Sequence, residues 1–462
     1  RIAEKKLGLK NGAMAVGARA MQEGGAFGRF SRNQVELFCV DKLLMVEINC
    51  NEEFLTFDFV FPTNEVGSIM GEKAITGTEA ALQIARAIVG NELVWENDAL
   101  SRSKNHLIST HESLMKNLEG SATEKLMGEM TPNDARFVSV CKDDVEAVTL
   151  EDAKVACSSQ LKPSQMEISI AGDFDINETL ELVRKYLGTI PSGEEADTGA
   201  NDGDYNIPVV GKAIDLEVEI TDSDPRAVAY VAGAAPNRWG YFSDGKNIGD
   251  MVLERGGGES ASRIVKQRRQ HPLFGHVVLS LISEIINRRL FSTVREKKQL
   301  TYDANFHFTG FEQVCGGYFL ITVTASKEKA QEAMEACKST INDLLTRSPI
   351  TPDNLESAKR VVKNRHEGDL QSCRYWTEIM SGLQLEGVPK SGPLSVTDFS
   401  AMVDALRVED LKLALDVLDL KQSNLFSCIG RTTQEGLKVV EAVEGAAEPL
   451  VRGGRVGTSL RD

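Results

Sequence analysis

The sequence predicts an α+β fold of tandem duplicated domains, each with helices packed on one face of a mostly antiparallel sheet. Three observations predict it. The first is an internal repeat. NDALSRSKNHLISTHESL (97–114) matches PDNLESAKRVVKNRHEGDL (352–370), with Leu100 against Leu355, Lys104 against Lys359 and His111-Glu112 against His366-Glu367, 255 positions apart. TLEDAKVACSSQLKPSQMEISIAGDF (149–174) matches RVEDLKLALDVLDLKQSNLFSCIGRT (407–432), setting Asp152 against Asp410 at a spacing of 258. The second is the order of elements, strands, helix, helix, helix, strand, in both halves, which suits a two-layer domain. The third is size. A chain of 462 residues exceeds the ~250–300 at which a single core stops growing. Residues 191–206, PSGEEADTGANDGDYN, are small and acidic and lack large aliphatics, as a linker does. The expected organisation is therefore a domain over 1–190, an acidic flexible linker over 191–212, a second domain over 213–443 and a disordered tail over 444–462.

Taken in order, residues 1–20 read as an exposed lead-in and MQEGGAFGRF (21–30) as a glycine-rich turn region. Apolar runs follow at 35–40 and 45–50, and FLTFDFVF (54–61) alternates like a strand until Pro62. Helical periodicity occupies 78–90 and 97–118 and restarts near Thr149, with Glu151 and Asp152 in the first turn. MEISIAGDF (166–174) reads as a strand and 178–190 as a short helix. In the second half, 213–220 and 227–235 read as strands, and 243–262, with Arg255-Gly-Gly-Gly-Glu259, as a mobile surface loop. Helices are expected at 326–347, from Thr351 with Pro352 at the first helical position, and at 406–418. LFSCIG (425–430) closes the half as a strand.

The stretch His276–Ala325 joins the two kinds of element. Val278, Leu281, Ile282, Ile285 and Ile286 recur at helical spacing. The pattern ends in Arg288, Arg289, Arg295, Lys297 and Lys298, cations that suit the negative end of a helix dipole. The period then falls to two, with Tyr302, Ala304, Phe306 and Phe308 on one side of a strand, and YFLITVTA (318–325) forms the next. Arg295 at a helix end and Tyr302 seven residues later can aim a guanidinium and a phenol at one patch of extended peptide. A dipole-satisfying arginine and a packed tyrosine explain the same spacing.

Composition excludes several classes. A net charge of −16 lacks the basic footprint of a nucleic-acid binder, and is compatible with attracting a basic peptide. No apolar run approaches the ~18 residues of a membrane helix. Eight scattered cysteines without a C-x-x-C pair suggest reduced thiols. The opening RIAEKKLGLK has no signal-peptide core, and the Arg1 start suggests a processed product or a fragment.

No complete catalytic or metal-binding set emerges. His106/His111 and His271/His276 are each five apart, about 140° around a helix, where zinc hydrolases need two histidines roughly 40° apart. His111-Glu112 is followed at the required position by Met115 and His366-Glu367 by Leu370, so neither completes a zinc motif. Asp202-x-Asp204-x-Asn206 opens like a calcium loop, but Ile207 and Ala213 stand at its glycine and glutamate positions. Gly256-Gly257-Gly258 has no Lys-Ser/Thr after it.

The repeat and the central stretch together resemble the pitrilysin/insulinase family of zinc metallopeptidases. MQEGGAFGRFSRNQVELFCV (21–40), MEISIAGDF (166–174), AYVAGAAPNRWG (229–240), LISEIINRRLFSTVRE (281–296), LTYD (300–303) and LFSCIG (425–430) are similar to the C-terminal half of its plastid members. The resemblance implies four related domains in two halves around a chamber, with zinc on the first domain, bound by H-x-x-E-H and a distal glutamate. It implies that 1–190 is a third-type and 213–443 a fourth-type domain, and that Arg295 and Tyr302 are the pair that holds the substrate backbone. No catalytic or metal residue then falls in this chain, zinc is bound outside it, and the chain alone is inactive. The implied partners are an N-terminal zinc-bearing half, in the same or a separate chain, and basic transit peptides as substrate. Nucleic acid and membrane insertion are not expected, and the implied compartment is the chloroplast stroma. The alternative is a non-catalytic structural or peptide-binding subunit of the same family.

Overall fold

The computed structural model describes residues 4–62, 75–191, 214–380 and 394–433, apart from positions 5, 26, 91, 133–135, 223 and 302. Residues 192–212 of the expected linker and the tail 444–462 lie outside the described residues. In the first half, α1 (Ala13–Gly24) and α2 (Arg32–Asp41) precede a hairpin of β1 (Met45–Cys50) and β2 (Leu55–Val60). Then come α3 (Gly77–Val89), α4 (Asn97–Lys116), α5 (Leu118–Met130), α6 (Lys142–Ala147), α7 (Leu150–Ser158) and α8 (Ile176–Tyr186). In the second half, β3 (Ile214–Thr221) and β4 (Ala227–Ala235) lead to α9 (Ile248–Arg255), α10 (Arg263–Arg269) and α11 (Phe274–Leu290). After them come β5 (Asp303–Phe308), β6 (Gly317–Ala325), α12 (Ala330–Leu345), α13 (Pro352–Asp369) and α14 (Cys373–Met380). The half closes with α15 (Leu394–Thr397), α16 (Phe399–Ala405), α17 (Val408–Leu418) and β7 (Phe426–Thr433). No described helix is long and apolar enough to cross a membrane.

The strands form an antiparallel pair β1–β2, with Met45 opposite Val60, and a five-stranded sheet in the order β3-β7-β4-β6-β5. Only β3 and β7 run parallel, so the sheet is mostly antiparallel as expected. One face of this sheet carries α11, α12 and α17, whose apolar residues form the largest core. The other face is covered by a helix of the first half. Leu118, Ala122, Leu126 and Met130 of α5 pack on Val228, Tyr230, Phe426 and Cys428. That is why β4 is buried along nearly its whole length and reads as a continuous apolar run.

Polar contacts fix the two halves in register. Arg226 makes a two-pronged contact with Glu119 of α5, Nε and Nη2 each donating at 3.1 Å. This pair holds the Glu119 carboxyl below the usual carboxylate range. Glu53, in the β1–β2 turn, accepts backbone N–H bonds from Glu312 at 2.9 Å, Gln313 at 2.7 Å and Val314 at 2.8 Å. Burial pushes the Glu53 carboxyl up, against the pull of those three donors.

The repeat is visible in contacts as well as in letters. Lys104 donates to the Glu146 carbonyl at 2.9 Å, and Lys359, its counterpart, to the Asp404 carbonyl at 3.2 Å. Each lysine thus satisfies a carbonyl at the C-terminal end of a short helix. The Asp pair of the repeat acts alike. Asp152 accepts the Thr149 N–H at 2.9 Å, closing a capping box, and Asp410 accepts the Arg407 N–H at 3.0 Å at the same place in α17. Asp410 alone is fully buried, and it also takes Arg269 Nε at 2.8 Å and Arg268 Nη2 at 3.2 Å.

Three sequence expectations are corrected. The expected exposed lead-in does not extend through residue 20, because α1 runs through the first core with Ala13, Val16 and Ala18 buried. Its small residues allow the close approach; a Cβ on Gly17 would lie 2.7 Å from the Ala153 carbonyl oxygen. The 243–262 stretch is not a loop throughout, since α9 buries Ile248 and Val252. Met166–Phe174, expected as a strand, is assigned to none: it runs irregularly, with a bend at Gly172 and Asp173.

Removing Asp410 strands the buried Arg269 guanidinium and unpairs the partly exposed Arg268, whereas removing Asp152 costs a cap. Asp410→Ala should therefore destabilise by about 3–5 kcal/mol and Asp152→Ala by about 1 kcal/mol. Urea unfolding of both variants, compared by midpoint, checks the difference.

Candidate substrate-holding site at the helix–strand junction

Helix α11 is anchored by its buried face, and Leu290, its last residue, is fully buried. The chain continues in a π-helical turn, Phe291–Lys297. Such a turn inserts an extra residue between anchoring positions and re-aims the side chains after it. Val294 is fully buried, so the next residue, Arg295, faces solvent. Its guanidinium carbon sits 4.9 Å from the centre of the Phe291 ring, and that ring is itself 44% exposed. Cation–π attraction steadies the arginine without consuming its N–H donors.

The exit is held as firmly. Gln299 adopts a left-handed conformation with φ 52°, and its carbonyl accepts Lys329 Nζ at 3.0 Å. The Leu300 N–H returns to the Val294 carbonyl at 3.1 Å. The Thr301 hydroxyl accepts the Asp303 N–H at 3.0 Å and donates to the Thr324 carbonyl. Arg295 and the first residue of β5 are thus fixed to one scaffold. Tyr302, the other residue singled out in the sequence, lies outside the described residues.

The structure divides the five cations that close the helical pattern. Arg288 binds Glu284 of its own helix at 2.9 Å and the Ser357 carbonyl at 3.3 Å, and Arg289 reaches the Pro349 carbonyl at 3.2 Å and Asn354 Oδ1 at 3.0 Å, so both clip α11 to α13. Arg295, Lys297 and Lys298 are exposed. Among the described residues, no carboxylate forms an ion pair with Arg295.

Two contributors are not evident from the sequence. Phe291 is the ring under Arg295; its spacing of four residues was the available signal. Asn287 is a polar residue set among the apolar positions of α11. Its Oδ1 accepts the Phe306 N–H at 2.7 Å and its Nδ2 donates to the Phe306 carbonyl at 2.8 Å. The amide thereby stands in for a neighbouring strand and blocks the outer edge of β5 at that point.

The repeated histidines do not form a metal site. His366 is buried, stacks on Phe399 at 4.1 Å and pairs through Nδ1 with the Tyr375 hydroxyl at 2.9 Å. Burial holds its imidazole below the ordinary histidine range. Among the described residues, no three His, Cys, Asp or Glu side chains are placed to hold a metal ion. Zinc does not fit the residues described in this chain.

Residues 147–362 match the family described as the peptidase M16 inactive domain. The chain belongs to the M16 peptidases, the pitrilysin/insulinase family. It is 34% identical over 429 residues to the chloroplastic stromal processing peptidase of Oryza sativa subsp. indica, covering 91% of this chain and 34% of the relative. Against the protein of the same name from Arabidopsis thaliana it is 34% identical over 457 residues, covering 95% of this chain and 35% of the relative. The chain spans about a third of the length of the curated relatives it matches. In fold it is similar to the periplasmic protease PqqL from Escherichia coli, with a TM-score of 0.65 at 13% identity over 94% of this chain and 41% of that one.

Asn287→Ala leaves the Phe306 N–H without its partner, while the Phe306 carbonyl keeps only the Ser283 hydroxyl at 3.3 Å. It should destabilise by about 1–3 kcal/mol, and hydrogen exchange should speed up at Phe306 while α11 stays protected.

Proposed function

We propose that the chain is the C-terminal, substrate-holding half of a zinc metalloendopeptidase that cleaves transit peptides from imported precursor proteins in the chloroplast stroma. The observation that carries the reading is Arg295, an exposed guanidinium without a carboxylate partner among the described residues, held over Phe291, in a chain related to stromal processing peptidases. An extended peptide presents carbonyl oxygens that only donors can satisfy, and a guanidinium offers several in fixed geometry. Aimed at the carbonyl next to the scissile bond, such a donor stabilises negative charge as the bond is attacked. Tyr302 supplies a second donor by residue type and spacing. Zinc and its attacking water belong to the N-terminal half, in the same or a separate chain. The third-type and fourth-type domains are residues 1–190 and 213–443. The net charge of −16 favours encounter with basic, acid-poor transit peptides.

The test uses the enzyme assembled from the zinc-bearing half and this chain. Arg295→Ala should lower kcat on a transit-peptide substrate by about 10²-fold, with zinc content and circular dichroism unchanged; kinetics within about twofold of the parent would sink the reading. A chelator should abolish turnover of the assembled enzyme yet leave the melting temperature of this chain alone where it was. A shift in that temperature would place a metal in this half.

A further inference from the structure

Exposed apolar side chains need no explanation when they are scattered singly, and on the first half they are not. Of fifteen large ones exposed among the described residues, five lie on α2, the turn after it and the β1–β2 hairpin: Leu37, Val40, Leu43, Met45 and Val60, each more than half exposed. They are neighbours. Leu37 and Val40 stand three apart on α2 and share one of its faces, while Val35, Phe38 and Cys39 meet the first core from another. The Leu43 N–H bonds the Val40 carbonyl at 3.1 Å, and Met45 and Val60 are the first pair of the hairpin. The strip thus runs from the helix, over the turn, onto the face of β1–β2 opposite buried Ile48.

Two positions further along that face, Glu47 and Asp58 stand directly opposite each other, both exposed. Like charges so placed destabilise a sheet. Among the described residues neither makes an ion pair. Arg374 of α14 feels both charges, but its own partner, at 2.8 Å, is Glu378. The repeat shows that the hairpin itself does not need this pattern. The equivalent pairs of β5–β6 are Asp303 with Thr324 and Asn305 with Thr322, neither an apolar pair nor two facing carboxylates. An apolar strip that ends in two carboxylates is complementary to a peptide with one apolar and one cationic side.

We infer that this strip docks a basic amphipathic peptide segment, whose apolar side chains cover Leu37, Val40, Leu43, Met45 and Val60 while its cations meet Glu47 and Asp58. The acids decide the occupant. A second copy seated here by two-fold symmetry would bring its own Glu47 and Asp58 to the contact and set carboxylate against carboxylate. The strip gives the proposed substrate class a contact other than the residues beside the scissile bond. That role rests on the reading of the chain as a substrate-holding half; the docking itself is tested without it.

The probe is a fluorescent synthetic peptide with leucines at helical spacing and arginines at the remaining positions, titrated with the full chain and followed by anisotropy. It should bind, more weakly as salt rises, and its glutamate-for-arginine counterpart should not. Val40→Lys alters a side chain that already faces water, so the fold survives, and it should weaken binding by about tenfold or more. Glu47→Gln combined with Asp58→Asn should weaken binding and flatten its salt dependence. No binding, equal binding of the two peptides, or an unaltered affinity in Val40→Lys overturns the inference. A photo-cross-linking residue at position 40 identifies the occupant. An adduct with the peptide supports docking. An adduct in its place with another segment of this chain, with a second copy or, in the assembled enzyme, with the zinc-bearing half overturns it. Failure of the Arg295 reading shows in kcat of the assembled enzyme and failure of this one in the affinity of the chain alone, so the two are told apart.

Discussion

A sheet with two apolar faces needs two covers, and the second half of this chain owns only one. The other is α5, carried by the first half, whose residues at 118, 122, 126 and 130 fill the groove over β4 and β7. Without it, Val228, Tyr230, Phe426 and Cys428 would face water, a loss of burial that no neighbouring surface ion pair could offset. The polar contacts at the rim, Arg226 with Glu119 and Glu53 in the Glu312–Val314 turn, then set the register of an association that apolar burial drives. Each repeat is consequently incomplete as a folding unit, although each has its own core.

That dependence also positions the helix–strand junction. The loop that Glu53 grips joins β5 to β6, and β5 begins just after the π-helical turn that presents Arg295. Asn287 ties the middle of β5 to α11. The arginine therefore projects from a frame braced at its helix, its strand and the far end of its hairpin. In the proposed role, a donor that meets a peptide carbonyl needs such bracing, because a loosely held guanidinium would lose most of its benefit to entropy.

The repeat, the long apolar face of α11 and the exit at Arg295 were legible because large aliphatics recur there at helical spacing. α1 was not, since AMAVGARAMQEG buries itself mostly through alanine and glycine, which a search for recurring large aliphatics passes over. α9 was hidden by its length of eight residues and by the glycines on either side of it. Met166–Phe174 has the alternation of a strand, but alternation reports which sides are apolar and says nothing of whether a partner strand is at hand. The π-helical turn left no sequence signal, because its residues are those of an ordinary helix end. Asn287 could have been suspected as a polar residue beside buried Ile285 and Ile286.

The duplication also bears on whether Arg295 is merely structural. The first half has the same junction, α2 into β1, and Leu43 there takes the left-handed conformation that Gln299 takes in the second, with φ of 49° and 52°. Between Asn33 and Cys50 that junction contains no arginine and no tyrosine. It still turns, still starts its strand, and exposes Leu37 and Val40 where the second half exposes cations. A helix dipole to neutralise or a strand face to pack would make the same demand on both copies. The demand is met once without these residue types, so the geometry of the turn does not require them. What distinguishes the second junction is a set of donors facing solvent, and such groups serve a ligand better than they serve the fold.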